Sequence, residues 1–177
     1  MIRLLRERAC DGEEIEALYD LAFAPGREAL SSYRLREGVA PVAALGLVAR
    51  DEYDTVVAAI RYWPVRIGED GLPALLLGPV AVHTIRQGEG LGALLIGETL
   101  SKATDLGWAR VLLVGDEPYY SRFGFRRDLA RRLDYPRPVN FDRLLAAELH
   151  ANSMAGAHGM VRKWHDGHPG NPALDPR

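Results

Sequence analysis

Six consecutive residues near the middle of the chain have the composition of an anion-binding turn. They are Gln87, Gly88, Glu89, Gly90, Leu91 and Gly92. Glycines in alternate positions let the backbone approach a ligand closely, and a helix starting here would direct the positive end of its dipole at that ligand. We call residues 87–92 the glycine turn and predict that it holds phosphate groups.

Two other phosphate-binding motifs resemble the glycine turn. A P-loop needs Gly-Lys-Ser/Thr where the helix begins, and alanine follows the turn instead, so that interpretation fails. A dinucleotide fingerprint is closer, because Gly88, Gly90 and Ala93 have its spacing. Asp116, after the next apolar run, would then bind a ribose. In that fold the first glycine follows its strand almost directly, whereas here residues 83–87 intervene.

Apolar runs on both sides of the glycine turn predict the elements that position it. Residues 75–82 and 109–114 have the composition of buried strands, and residues 91–106 have helical periodicity. A strand, a helix and a strand in this order predict a parallel pair of strands. Proline cannot donate to a ladder, so we expect the first strand to bend at Gly78-Pro79 and to leave a gap in the sheet.

The N-terminal third of the chain predicts a strand, two helices and a hairpin. Residues 2–8 form the expected first strand, and Asp11 is the expected N-cap of the helix that follows. A second helix is predicted over residues 27–37. Residues 45–50 and 55–65 are rich in β-branched and aromatic side chains and predict a β-hairpin.

The C-terminal third is predicted to finish a single domain. Residues 141–150 are expected to be helical, at least in part, and residues 159–164 to form a last strand. We expect one domain over residues 1–165 and a flexible tail over residues 166–177.

Composition and charge exclude several classes of partner. The chain has 177 residues, with 22 basic and 24 acidic side chains well mixed along it, so no basic face for nucleic acid is expected. Cys10 has no second cysteine to pair with, and charges in the first eight residues argue against a signal peptide. The longest apolar run is far shorter than the ~20 residues that span a bilayer. These features favour the reducing cytoplasm.

The glycine turn also matches a third signature. Gln87, Gly90 and Gly92 have the Q/R-x-x-G-x-G/A spacing of the GNAT superfamily of acyl-CoA N-acyltransferases. Residues 77–83 and 111–116 resemble the fourth and fifth strands of that family. The resemblance implies an α/β fold with a twisted mixed sheet, splayed between strands 4 and 5 and flanked by helices.

A second segment strengthens the resemblance. Residues 120–125, with sequence YSRFGF, resemble the Tyr-x-x-x-Gly-Phe segment of the family, and all these elements come in the family's order over residues 45–127. Residues 115–120 further resemble a bacterial branch of predicted acetyltransferases.

The resemblance implies a co-substrate and its binding residues. Backbone groups of Val80, Ala81 and Val82 would bind the pantetheine arm of acetyl-CoA in the gap and orient its thioester. Amides of the glycine turn would hold the pyrophosphate. The acetyl group would pass directly to a primary amine, and no metal is needed because the thioester is already activated.

The resemblance also implies catalytic roles. Tyr120 matches a tyrosine that protonates the departing CoA thiolate, although its neighbour Tyr119 would take this role if the alignment were displaced by one residue. His83, at the end of the fourth strand, is our candidate general base. Three carboxylates are alternative bases that the sequence does not rank: Asp116, Glu117 and Glu52.

Other residues suggest weaker sites. Four histidines fall in the C-terminal region without metal-binding spacing, so no metal site is predicted: His150, His158, His165 and His168. Arginines at 126, 127, 131 and 132 are expected to be solvated, with the 3′-phosphate of CoA as an alternative partner. Tyr62 and Trp63 would pack in the core or line an acceptor pocket.

Two other functions compete with acetyl transfer. A non-catalytic acyl-CoA-binding or sensing module would tolerate loss of the Tyr120 hydroxyl, whereas an NAD(P)-binding domain would depend on Asp116. The acceptor is left open between a small amine and a peptide or protein amine, and a homodimer through the C-terminal strand is a further expectation.

Overall fold

The computed structural model describes residues 1–23 and 31–164. Within them a mixed β-sheet contains the strands β1 (Arg3–Arg6), β2 (Leu47–Arg50), β3 (Val56–Ile67), β4 (Leu72–Val82), β5 (Arg110–Val114), β6 (Leu133–Asp134), β7 (Leu144–Glu148) and β8 (Gly159–Lys163). The helices are α1 (Gly12–Ala22), α2 (Ser31–Arg34), α3 (Leu91–Asp105) and α4 (Glu117–Tyr120).

The strand order is β1-β2-β3-β4-β5-β7, with β8 beside the far end of β3 and β6 beside β8. β1 to β4 are antiparallel to one another, whereas β4 and β5 are parallel and β5 and β7 antiparallel. The predicted hairpin and the predicted parallel pair are therefore confirmed, as is the final strand.

Helices cover both faces of the sheet. Val48 on β2 packs in one cluster with Ile15 of α1, whereas the next residue, Ala49, packs in another with Leu95 of α3. Because consecutive strand residues point to opposite faces, α1 and α3 lie on opposite sides. The sheet is thus buried between two helical layers, and α3 directly follows the glycine turn.

Three local predictions need correction. The segment 141–150 is not a helix: a 3₁₀ turn, Phe141–Arg143, leads into β7, which pairs with β5. Its leucines and alanines favour a helix, but pairing and burial between neighbouring elements override that preference. The second helix is short, at Ser31–Arg34, and residues 27–30 of the prediction lie outside the described residues.

The third correction concerns Asp11, which holds the N-cap position of α1 without capping it through its side chain. Its carboxylate instead accepts hydrogen bonds from the Arg8 amide at 2.8 Å and from Arg50 at 2.7 Å. The predicted tail over residues 166–177 lies outside the described residues.

Candidate active site

β4 and β5 separate partway along their length. Leu75 and Leu76 of β4 pair with Val111 and Leu112 of β5. β4 continues to Val82, but among the described residues no strand pairs with its β5-facing edge beyond those two positions. The predicted gap in the sheet is confirmed. It presents a strand edge to which an extended ligand can add as a further strand.

The bend that opens the gap lies at Gly78 and Pro79. Gly78 has φ +120°, a conformation that L side chains rarely adopt. On the neighbouring strand the β3–β4 register shifts between Ile60 and Tyr62, as expected of a bulge. Pro79 has no N–H to donate to either neighbour. From α1, the Tyr19 hydroxyl donates to the Pro79 carbonyl at 3.4 Å and holds the bend against the helix.

Residues 87–90 of the glycine turn are exposed, and of the turn's backbone donors the Glu89 amide is paired, with the Arg86 carbonyl at 3.4 Å. Gly88 and Gly90 have φ +86° and +79°, in the left-handed region that favours glycine. Within the part of the chain that the structure describes, the amides of Gly88, Gly90, Leu91 and Gly92 donate no hydrogen bond. They lie at the start of α3, which is 15 residues long, so unpaired N–H groups and the helix dipole act together on an anion.

A nearby arginine offsets the negative charge that lies within the glycine turn. The Glu89 carboxylate lies 3.5 Å from Nη1 of Arg86, which also lies 3.5 Å from Glu52 through Nη2. The arginine therefore offsets the negative charge that Glu89 would otherwise present to a phosphate. Gln87 ends the short 3₁₀ turn Thr84–Arg86 and leads the chain into the glycine turn.

The glycine turn adjoins both the end of β4 and the segment after β5. A Cβ placed on Gly92 would lie 3.6 Å from the hydroxyl oxygen of Tyr119 and 3.6 Å from a methyl group of Val82. The segment after β5, which is distant in the sequence, therefore meets the end of β4 and the glycine turn. A ligand held at the turn can continue along the open edge of β4.

Tyr120 occupies the other wall of the gap. Its ring packs edge-on against Tyr119, with centroids 4.9 Å apart, and against Phe125 at 6.0 Å. Gly115 leaves room for the ring, since a Cβ there would lie 2.5 Å from Cε2 of Tyr120. Burial, and then the charges of Tyr119 and Asp116, raise the pKa of Tyr120 above its ordinary value. The phenol therefore stays protonated and can donate a proton.

A cavity of about 410 Å³ joins Tyr120 to the open edge of β4. We call it the β4–β5 cavity. It is lined by Phe23, Ser31, Ser32, Tyr33, Arg36, Leu77, Gly78, Pro79, Val80, Leu113, Val114, Tyr120, Pro138, Val139, Asn140 and Arg143. Such a volume accommodates the reactive end of a thioester together with a small acceptor.

Comparisons with known proteins agree with this geometry. No family model matches the sequence. The uncharacterized N-acetyltransferase YhbS of Escherichia coli is 35% identical over 115 residues, which cover 65% of this chain and 68% of that protein. The chain belongs to the GNAT family of N-acetyltransferases. The resemblance drawn from the glycine turn and the YSRFGF segment is thereby confirmed.

Solved structures extend the similarity over nearly the whole chain. One similar structure is the crystal structure of the E. coli GNAT family N-acetyltransferase YhbS in complex with CoA. Its sequence is 30% identical, and the match covers 93% of this chain and 89% of that chain with a TM-score of 0.77. A GNAT family acetyltransferase from Brucella melitensis in complex with acetyl-CoA is 27% identical over 99% of both chains, with a TM-score of 0.68. The predicted GNAT-like fold class is confirmed.

Within this GNAT fold, His83 serves as a local cap. Its Nδ1 accepts a hydrogen bond from the Ile85 amide at 3.3 Å, and its backbone N–H donates to the Val57 carbonyl at 2.8 Å. It is absent from the residues that line the β4–β5 cavity. With Nδ1 engaged as an acceptor, the proton of a neutral imidazole lies on Nε2. To act as a general base through Nδ1, His83 would have to release the Ile85 amide. Its role as general base stays a prediction.

The three alternative carboxylates are also engaged. Asp116 pairs with Nε of Arg143 at 3.2 Å. Glu117 accepts a hydrogen bond from the Arg127 amide, and Glu52 lies near Arg86 on the far side of the glycine turn. None of the three lines the β4–β5 cavity.

Other candidate residues lie away from the cavity. Tyr62 is fully buried, and its hydroxyl shares a hydrogen bond of 2.7 Å with Thr99, so it is a core residue. Arg126 pairs with Asp128 at the surface. No group of three or more His, Cys, Asp and Glu side chains able to hold a metal occurs in residues 1–23 and 31–164, where His150 and His158 lie; His165 and His168 are outside. In the same ranges no helix is long and apolar enough to cross a membrane.

One wall of the cavity consists of residues that the sequence did not single out as functional. Ser31, Tyr33 and Arg36, from α2 and the turn after it, face residues 138–143 across the gap. The signal for α2 was weak because the helix is only four residues long. Leu35, which is 3% exposed, anchors this segment in the core beside the cavity.

Proposed function

We propose that the protein is an acetyl-CoA-dependent N-acetyltransferase that transfers the acetyl group directly to a primary amine. The observation that carries the proposal is adjacency: Gly92 of the glycine turn lies against Val82 at the end of the open edge of β4, and the β4–β5 cavity brings Val80 of that edge together with Tyr120. The CoA and acetyl-CoA complexes of the two similar GNAT proteins support the same ligand.

Binding divides between two stretches of backbone. Amides of residues 87–92 would hold the pyrophosphate, because those of Gly88, Gly90, Leu91 and Gly92 donate no hydrogen bond within the described residues and lie at the start of a helix. Val80, Ala81 and Val82 would pair with the pantetheine amides, because their strand lacks a neighbour on that edge. Both sets of contacts use main-chain groups, so they require the bend at Gly78 and the left-handed glycines more than particular side chains.

Bound acetyl-CoA supplies an activated thioester, whose carbonyl carbon a free amine attacks so that the C–N bond forms and the C–S bond breaks. The Tyr120 hydroxyl gives its proton to the departing sulfur, and its raised pKa keeps that proton available at neutral pH. The attacking nitrogen loses its proton to water or to a base, for which His83 is the candidate when its cap opens. The phenolate of Tyr120 then regains a proton from solvent.

The first test is stabilisation of the purified protein by ligands. Melting temperatures are measured with acetyl-CoA, CoA, NAD⁺ and NADP⁺ in parallel, since a ligand that binds the folded state raises apparent stability by mass action. We expect both CoA species to raise the melting temperature and neither dinucleotide to do so. A response to NAD⁺ or NADP⁺ alone would overturn the proposal. Release of free thiol from acetyl-CoA in the presence of amines then tests for transfer.

A further inference from the structure

Arg36 lies at the wall of the β4–β5 cavity and has no charged partner among the described residues. Its Nε and Nη1 are buried and make no hydrogen bond, and among the described residues no carboxylate forms an ion pair with it. Burial lowers the pKa of Arg36, although a guanidinium keeps its charge in proteins. A desolvated charge of this kind is costly unless a ligand supplies the missing acceptor.

The guanidinium is held in place by stacking. It lies over the ring of Tyr33, with Cζ 4.4 Å from the centroid, and near the ring of Trp63 at 5.9 Å. Nε and Nη1 of the guanidinium remain without an acceptor, and a carboxylate is the group that matches such a fork of donors.

One nitrogen of Arg36 faces the bend in β4. Nη2 lies 3.7 Å from the position that a Cβ would take on Gly78, at the point where the strand leaves β5. The absence of a side chain at Gly78 keeps this approach open. An acceptor in the cavity can therefore reach Arg36 while its amine lies near the open edge of β4.

The charges around the cavity favour an anionic acceptor over a cationic one. Among the described residues that line it, none is an aspartate or a glutamate. Of the two described arginines in its lining, Arg143 is already paired with Asp116 at 3.2 Å, whereas no described carboxylate pairs with Arg36. A polyamine or an aminoglycoside would meet uncompensated positive charge here, and like charges in a poorly solvated site repel.

We propose that Arg36 binds a carboxylate of the acceptor, so that the substrates are small amines that also carry a carboxylate, such as amino acids. The proposal rests on the acetyl transfer proposed above. The cavity is otherwise lined largely by apolar side chains, among them Phe23, Leu77 and Val139, so it suits an acceptor with an apolar body between or beside its two polar groups.

The test compares amines that differ only in the carboxylate. Thiol release from acetyl-CoA is measured for L-phenylalanine and L-phenylalaninamide, for L-leucine and L-leucinamide, and for 5-aminovalerate and 5-aminopentanamide, with spermidine as the cationic case. Rates are referred to the concentration of free amine, because the amide lowers the basicity of a neighbouring amino group. We expect kcat/KM to favour the carboxylate member of at least one pair roughly tenfold or more.

Variants separate recognition from a structural role. Arg36→Gln should raise KM for the preferred carboxylate roughly ten- to a hundredfold while leaving its amide almost unchanged, and Arg36→Lys should fall between. Arg162→Gln, which removes an exposed arginine of β8, is the matched control and should change neither member. Equal loss for both members in Arg36→Gln would mean that Arg36 acts structurally, and would overturn the proposal.

A binding measurement keeps this test independent of turnover. Calorimetry with N-acetyl-L-phenylalanine, N-acetyl-L-leucine and 5-acetamidovalerate needs no transfer, and at least one should bind the wild-type protein and lose that binding in Arg36→Gln. Failure of acetyl-CoA to stabilise the protein would overturn the proposed function alone. A protein that binds acetyl-CoA but acetylates spermidine or the amides, and none of the carboxylates, would overturn the role of Arg36 alone.

Discussion

The two halves of β4 differ in pairing although they form one strand. Residues 72–76 pair with β3, and the last two of them also with β5. Beyond them, Leu77 and residues 80–82 pair with β3, and no other described strand pairs with them. Leu75 and Leu76 are 0% and 1% exposed, whereas Val80 and Val82 are partly exposed. One half of the strand holds the sheet together, and the other offers its backbone to a ligand.

The change between the halves has a local cause. Gly78 and Pro79 interrupt an otherwise apolar strand with a left-handed φ and a missing donor, and the register with β3 shifts across from them. β5 ends at Val114 on the other side of the gap, and the chain then passes through Asp116 into α4. Gly78 and Pro79 therefore divide β4 into a half that stabilises the sheet and a half that offers its backbone to a ligand. Substitutions in the first half should lower the free energy of unfolding, and those on the ligand side should change binding or turnover.

The largest effect is expected from Tyr120→Phe, on the open side. Removing the hydroxyl removes the proposed proton donor to the leaving thiolate, so kcat should fall roughly a hundredfold or more, within the range for general acid catalysis. Binding of CoA, followed by calorimetry, should persist because the ring still packs against Phe125.

Tyr53→Phe is the matched control, because Tyr53 is 81% exposed in the turn between β2 and β3. If Tyr119→Phe lost turnover and Tyr120→Phe did not, the donor would be Tyr119. Unchanged turnover in both variants would favour a non-catalytic acyl-CoA-binding module.

The second effect is expected on the closed side. Leu76→Ala removes a buried side chain that packs with Leu112 of β5, and it should lower the free energy of unfolding by about 2–5 kcal/mol. Val80→Ala, on the open half of the same strand, should cost clearly less because its side chain is only partly buried. Urea unfolding of both variants checks the difference. Equal costs would contradict the division of β4 into a structural and a ligand-binding half.

The sequence predicted the cofactor side of the site better than the acceptor side. The glycine turn, the bend at Gly78-Pro79 and the strand that ends near Asp116 are local features, each set by a few adjacent residues with special backbone requirements. Features of this kind can be predicted from adjacent residues, without knowledge of the elements that pack against them.

The acceptor wall depends on long-range packing. Arg36 reaches the cavity because Leu35 is buried and because Tyr33 and Trp63, 30 residues apart in the sequence, meet around its guanidinium. Similarly, residues 144–148 have helical composition but pair with β5 as a strand. Neither outcome has a local signal, since both are decided by the partner that tertiary packing provides.

A smaller effect is expected from Gly90→Ala in the glycine turn. A Cβ there would meet no atom within 4 Å, so the cost comes only from its φ of +79° and amounts to about 1–2 kcal/mol. If the turn relaxes to avoid that strain, its amides lose their alignment and affinity for CoA should fall roughly tenfold.

Gly97→Ala is the matched control for the glycine turn. Gly97 is also free of close neighbours but lies within α3, where alanine should stabilise the helix by about 0.5–1 kcal/mol and leave CoA affinity unchanged. Calorimetry with CoA and thermal unfolding separate the two results. If Gly90→Ala bound CoA with wild-type affinity, the glycine turn would not be part of the CoA-binding site.

The smallest effect concerns the pH dependence of kcat, on which the ionisation of Tyr120 should have no influence up to pH 10. Burial raises the pKa of Tyr120 above the ordinary tyrosine value of about 10, so the protonated form that acts as the acid persists to higher pH than for a free phenol. We therefore measure kcat against pH for the wild-type protein and for Tyr120→Phe. Below pH 10, ionisation of Tyr120 should cause no fall in kcat, so the wild-type profile should show no decline that is missing in the variant. Such a decline near neutral pH would require a lowered pKa of Tyr120, which a nearby cation rather than burial would produce. It would therefore contradict the buried position of this phenol at the wall of the gap.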